Sequence, residues 1–221
     1  TGAVDVEISP GAKDTTYPTG TSANQMWIDY DTTPTNREVL LAFTNIFGSG
    51  AGQIPAGATI VSATLDLFVT DSGNGALLYR MLRSWDPNTE TWNTLGNGVQ
   101  TDNTDACSTN ASFWGIKETG SGEGHCVFSV TTDLQVWANG AANYGWVMTS
   151  MVDGGNGVAW RPCEWTTASE RPRLHVVWLP PGTQMAGFQQ GVNGYASARD
   201  TSIRENEPST SHATWTGIWS D

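Results

Sequence analysis

Apolar and polar residues alternate along several stretches of this chain, which is the pattern of half-buried β-strands. In the clearest stretch, residues 61–69, every odd position is apolar, while Ser62, Thr64 and Asp66 are polar. Residues 39–43 form a continuous apolar run of strand length instead. By the same criteria, further strands are predicted at 77–83, 127–130, 145–151, 157–165 and 174–178.

One short helix is predicted, around residues 132–138. A threonine at 131 or 132 can cap it, Leu134 and Trp137 lie on one face, and an Asn-Gly pair follows it. Many strands joined by turns rich in glycine and asparagine, with almost no helix, are typical of an all-β fold. We therefore predict a sandwich of two antiparallel sheets.

The last part of the chain repeats its beginning. Lys13-Asp14-Thr15 returns as Arg199-Asp200-Thr201, and the Ile-x-x-Asp of residues 28–31 returns at 218–221. The separation of the two copies is that of a whole domain, far longer than the roughly 20–50 residues of a solenoid unit. We predict one module over 1–179, a stiff Pro/Gly linker over 180–186, and part of a second module over 187–221.

This C-terminal extension lacks a sheet of its own. A strand is predicted at residues 200–204, like one expected near 14–17, and an unpaired strand is an aggregation hazard unless it joins a sheet edge. The residues expected to make that contact are Thr201, Ile203, Trp215, Ile218 and Trp219. Docking onto the next copy would be heterologous and would build a filament, whereas docking back onto the same module is the alternative.

The charge balance excludes some partners. The formal net charge is −12, from 22 acidic and 10 basic residues, which repels nucleic acids and anionic membrane surfaces. No apolar run reaches the roughly 18 residues of a membrane span. Abundant Ser, Thr, Asn and Gly with scarce Lys favour a secreted or cell-surface protein. A start at Thr1 without Met fits either a mature secreted form or a trimmed chain.

A secreted location affects the interpretation of the three cysteines and of one glycosylation sequon. In an oxidising compartment Cys107 and Cys126 are the first candidates for a disulfide, which would bracket a polar loop. Pairing of Cys163 with either of them stays open, because spacing does not fix connectivity. Asn110 begins an Asn-Ala-Ser sequon in the same loop and is a candidate glycosylation site.

No motif for catalysis is present in the sequence. There is no Gly-x-Ser-x-Gly elbow, His-Glu-x-x-His helix or phosphate loop, so we expect a protein that is not an enzyme and has no cofactor. Asp86 and Glu90 are too close in one turn to suggest a glycosidase pair. Asp29, Asp31 and Asp153 could ligate calcium, although they lack the spacing of a calcium loop.

Eleven tryptophans are many for 221 residues. Large aromatic side chains fill the core of a two-sheet protein, and this is the interpretation that we favour for each of them. Exposed indole rings also stack on sugars. The candidates for such a platform are Trp27, Trp114, Trp160 and Trp165.

A set of strings in a fixed order resembles the DNRLRE-type secreted β-sandwich domain. They are the Ile54 to Leu65 segment with Leu67-Phe68-Val69, Trp85-Asp86 with Glu90-Thr91-Trp92-Asn93, Phe128-Ser129-Val130-Thr131, Asn143-Tyr144-Gly145, and Glu170-Arg171-Pro172-Arg173-Leu174. The resemblance covers residues 12–179, and 187–221 look like the opening of another copy. It implies a jelly-roll-like fold, tandem arrangement in surface proteins and, in some members, carbohydrate binding.

Two functions are therefore expected. The first is an extracellular structural subunit that forms a homopolymer through its C-terminal extension. The alternative is a carbohydrate-binding or adhesive module with a polysaccharide partner. The resemblance also implies that Glu90-Thr91-Trp92 and Arg171-Pro172-Arg173 are structural, with ligand contact as the alternative. The aromatic is expected to pack after a turn and the arginines to pair with acids at the start of a strand.

Overall fold

The computed structural model describes residues 2–20, 24–28, 37–73, 75–114, 124–151, 156–182 and 215–219. These residues form eleven strands and one α-helix. In chain order they are β1 (Ala3–Ile8), β2 (Met26–Ile28), β3 (Glu38–Phe43), β4 (Thr59–Asp71), β5 (Ala76–Arg80), β6 (Ser112–Trp114), β7 (Gly124–Ser129), α1 (Thr131–Ala138), β8 (Trp146–Ser150), β9 (Val158–Trp160), β10 (Arg173–Leu179) and β11 (Trp215–Trp219).

The strands form two sheets. Within each sheet, all paired strands are antiparallel. The first sheet has the order β1-β3-β8-β5-β6. The second has the order β11-β10-β4-β9-β2, and β7 pairs with β4 on its other side. The predicted all-β sandwich of two antiparallel sheets is therefore confirmed. The jelly-roll-like connectivity stays a prediction.

The first sheet is buried on both faces. Leu41 and Phe43 of β3 belong to the main core between the sheets. Leu40, immediately before Leu41, belongs to a second core on the opposite face, together with Trp92 and Val99 from the connection between β5 and β6. Because side chains alternate between the faces of a strand, a strand covered on both sides is apolar throughout. This explains the continuous apolar run at 39–43.

The helix α1 lies at one end of the sandwich and is bonded to the start of β4. The Gln135 side chain accepts a hydrogen bond from the Ile60 amide at 2.8 Å and donates one to the Ala58 carbonyl at 3.0 Å. The Thr131 hydroxyl accepts one from the Ala63 amide at 2.9 Å. These bonds satisfy backbone groups at the beginning of β4 and fix the helix against it.

The central strand β4 contains a β-bulge that the sequence pattern did not predict. Ser62 pairs with Val177 and Ile60 pairs with Trp178, so Val61 has no partner on β10. The extra residue reverses the alternation, and Ile60 is buried while Val61 is 41% exposed. The prediction that Val61 shares the inner face with Leu65 was therefore wrong.

Most of the predicted elements correspond to strands or to α1, with shifted ends. The strand predicted at 157–165 is shorter, because β9 stops at Trp160. Residues 14–17 form no strand, and Tyr17 makes only an isolated bridge to Glu7. The sequence pattern did not predict β1, β2 or β6. In the part of the chain that is described, no helix is long and apolar enough to cross a membrane.

Candidate functional site

The C-terminal strand β11 completes one edge of the second sheet. It pairs antiparallel with β10 of the same chain over five residues, from Leu174 opposite Trp219 to Trp178 opposite Trp215. Its partner β10 is in turn paired with β4 along its whole length. Of the predicted docking residues, Trp215, Ile218 and Trp219 lie in β11, whereas Thr201 and Ile203 lie outside the described residues.

Charged side chains on the outer face of this sheet join β10 to its neighbours. The buried carboxylate of Asp66 on β4 accepts a hydrogen bond from Arg173 of β10 at 2.8 Å. Its other oxygen lies 2.8 Å from Nδ1 of His125 on β7. His175, also on β10, is half-exposed, and its Nε2 lies 4.0 Å from the Asp66 carboxylate. This cluster therefore ties three adjacent strands together.

The two strings expected to be structural have such contacts, although Arg171 donates to the Trp165 carbonyl and only Arg173 pairs with an acid, Asp66. Trp92 is buried in the second core, and Glu90 is buried and accepts a hydrogen bond from Thr94 at 3.0 Å. Pro172 stands immediately before β10, where its missing N–H costs least. Asp86 does not face Glu90 across a cleft, because its own amide points to the Glu90 carboxylate within one turn, at 3.4 Å.

Cys107 and Cys126 are not joined by a disulfide in the structure. Cys126 on β7 is 3% exposed and belongs to the main core, as does the fully buried Cys163. Burial raises the pKa of the Cys126 thiol, and the nearby Asp66 charge raises it further. The predicted Cys107–Cys126 disulfide is thus not formed here, since Cys126 is packed as a core residue and Cys107 lies half-buried in a loop.

The candidate glycosylation residue Asn110 lies in the loop immediately before β6 and is half-buried. The backbone amide of the next residue, Ala111, donates to the Leu78 carbonyl of β5 at 2.7 Å. The loop is therefore anchored to the first sheet directly beside the sequon. Glycosylation at Asn110 stays a prediction.

The four candidate platform tryptophans lie in different environments. Trp160 is 1% exposed and belongs to the main core, which confirms the favoured interpretation and excludes this residue from an exposed platform. Trp27 on β2 is half-buried, and its indole N–H is buried without a hydrogen-bond partner. Trp114 is in β6, and its side chain is outside the described part. Trp165 is half-buried and lines a cleft.

That cleft has a volume of about 160 Å³ and a lining of both polar and apolar groups. It lies between the segment before β2 and the turn after β9, and is lined by Thr19, Asn24, Pro162, Glu164, Trp165 and Thr166. The indole N–H of Trp165 donates to Glu170 at 2.7 Å. The guanidinium carbon of Arg161 lies 3.9 Å from the centroid of the indole ring. The ring is therefore held in one orientation.

The described residues contain no group of three His, Cys, Asp or Glu side chains arranged to hold a metal ion. The predicted calcium ligands Asp29, Asp31 and Asp153 lie outside these residues. Calcium at those positions stays a prediction.

In comparisons with known proteins, no protein-family model matches the chain, and no curated protein matches it either. The likeness to DNRLRE-type domains consequently stays a prediction. Fold and site together define an all-β sandwich with a C-terminal strand at one sheet edge and a Trp-lined cleft.

Proposed function

We propose that this protein is a non-catalytic extracellular structural subunit that assembles head to tail through its C-terminal extension. In the assembly, β11 of one copy takes the place beside β10 of the next. The observation that carries this proposal is the five-residue antiparallel register between β10 and β11 at a sheet edge. A strand that adds to an edge within one chain can make the same backbone bonds with another copy.

The connection between the two strands is long enough for this exchange. Leu179 ends β10 and Trp215 begins β11, so residues 180–214 join them. A chain extends at most about 3.3–3.6 Å per residue, and this connection therefore reaches on the order of 100 Å. Exchange between copies is heterologous, since the donating strand and the accepting edge are different surfaces, and such contacts propagate.

The acceptor edge is also rigid. The inward side chains of β10, Leu174 and Val176, are at most 1% exposed. On the other face, Arg173 is fixed to the Asp66 carboxylate. Because this edge is already ordered before a strand binds, the entropic cost of binding is smaller.

A test uses proline at two neighbouring positions of β11, Thr216→Pro and Gly217→Pro. Successive N–H groups of a strand point to opposite sides, so one proline removes a bond to β10 and the other serves as its matched control. We expect filaments of the full chain by negative-stain microscopy and light scattering, and loss of filaments in only one of the two variants. A chain that ends at Pro181 should stay monomeric.

If the full chain is monomeric at every concentration, the strand closes its own module and the filament proposal fails. If both proline variants polymerise like the parent chain, assembly does not depend on β11.

A carbohydrate-binding or adhesive module is the second candidate function. The observation that favours it is the cleft at Trp165, which combines a fixed indole ring with polar residues at the surface. This function predicts a monomer that is retained on a polysaccharide, irrespective of β11.

A further inference from the structure

The cleft at Trp165 presents an aromatic ring that is already fixed before any ligand arrives. Glu170 accepts the indole N–H, and the same carboxylate lies 3.6 Å from Nε of Arg161. Arg161 covers one face of the ring by a cation–π contact, and Arg171 donates to the main-chain carbonyl of Trp165. A ligand that stacks on the indole would therefore have to use the face opposite Arg161.

Polar side chains surround this ring at the surface. Thr19, Asn24, Glu164 and Thr166 are exposed and line the cleft together with Trp165. They offer hydroxyl, amide and carboxylate groups, which are complementary to a ligand that carries several hydroxyls. A sugar ring has this combination, with an apolar C–H face for the indole and hydroxyls at its rim.

We propose that this cleft binds one ring of a neutral polysaccharide, stacked on Trp165 and hydrogen-bonded by Asn24 and Glu164. This inference rests on the second function above, carbohydrate binding, and names its site and its class of ligand.

Size and charge restrict the ligand. The volume of about 160 Å³ is roughly half that of the smallest drug-sized pockets, near 300 Å³, so the cleft takes a single ring of a longer chain.

Glu164 places a carboxylate in the cleft, and Glu170 neutralises the charge of Arg161. Together with a net charge of −12, this disfavours uronic acids and sulfated sugars.

The cleft and the strand-docking edge are formed by different residues. The cleft is lined by residues before β2 and after β9, whereas β11 pairs with Leu174 to Trp178 of β10. Loss of sugar binding and loss of polymerisation are thus expected to be separable by mutation.

The test is affinity electrophoresis of the full-length protein in gels that contain a soluble β-glucan, galactomannan, xylan or, as an acidic probe, alginate. The variants are Trp165→Ala, which removes the ring, and Asn24→Gly, which removes the amide. Glycine suits position 24 because the residue has φ of 56°. The matched control is Val127→Ala, at an exposed position on β7.

We expect at least one neutral polysaccharide to retard the parent chain and Val127→Ala equally. Trp165→Ala should weaken this binding tenfold or more and Asn24→Gly several-fold, with both variants showing the circular dichroism of the parent. Binding unaffected by both substitutions would overturn this site but leave carbohydrate binding standing. Absence of binding to all neutral probes, or binding to alginate alone, would overturn the proposal and its class of ligand.

Discussion

At the residue scale, the environment of Glu38 makes the stability of the fold depend on pH. Burial at the start of β3 raises the pKa of Glu38 from its ordinary value of 4.5 to about 8. A hydrogen bond from the Val99 amide, at 2.8 Å, lowers the pKa, and the charge of Asp105 raises it. The folded protein therefore retains a proton that the unfolded chain loses, and the free energy of unfolding falls as pH rises from about 4.5 to about 8.

Glu38→Gln tests this effect. Glutamine stays neutral and its side-chain oxygen can still accept the Val99 amide, so the variant should not lose this stability as pH rises. We compare the free energy of unfolding of the variant with that of the parent at each pH. One pKa unit corresponds to about 1.4 kcal/mol, and we expect the difference, variant minus parent, to increase by more than this amount between pH 5 and pH 9. Urea unfolding at both pH values measures it. An equal pH dependence of parent and variant would contradict the prediction.

A second residue-scale prediction concerns Asp133 in α1. Its buried carboxylate accepts the indole N–H of Trp146 at 2.7 Å and pairs with Arg80 at 3.1 Å. Asp133→Ala leaves both groups without this partner, and we expect a loss of about 3–5 kcal/mol in thermal or urea unfolding. Asp133→Asn retains an acceptor for Trp146 and should cost less. Equal losses in the two variants would show that the charge alone matters.

At the element scale, α1 and β4 depend on each other through the Gln135 side chain. Gln135→Ala removes the partners of the Ile60 amide and the Ala58 carbonyl, and unfolding should become easier by about 1–3 kcal/mol. Gln135→Glu keeps the acceptor for Ile60 but loses the donor to the Ala58 carbonyl and to the Asn139 side chain, so it serves as the control for the bond to Ile60. Amide hydrogen exchange should accelerate at Ile60 in the alanine variant. Unchanged exchange there would refute the link.

At the scale of the whole molecule, the net charge of −12 opposes any contact between two copies. The Debye length shrinks from about 30 Å at 0.01 M salt to about 8 Å at 0.15 M. We therefore expect the polymer fraction of the full chain, measured by analytical ultracentrifugation, to rise with sodium chloride over this range. A chain ending at Pro181 is the control and should stay monomeric throughout. A fall in polymer with salt would indicate ionic contacts between copies instead.

Particular residues show how far the sequence alone was informative. The local pattern predicted the burial of Leu65, because it depends on alternation within one strand, whereas the packing of Trp92 after a turn was implied by the family resemblance. Trp160 and Trp165 are both tryptophans near β9, yet one is in the core and the other lines a cleft. Composition does not distinguish them, since the difference arises from which distant segments cover each ring.

The sequence by itself determined the all-β sandwich and the two-sided burial that β3 requires, because hydrophobic periodicity is local and a strand must bury its apolar face. Tertiary structure alone decided that Val61 forms a bulge, that Cys126 is a core thiol, and that β11 pairs with β10. These features depend on contacts between residues far apart in the chain. Such contacts are set by strand register and by the order of strands in the sheet, which a local pattern does not encode.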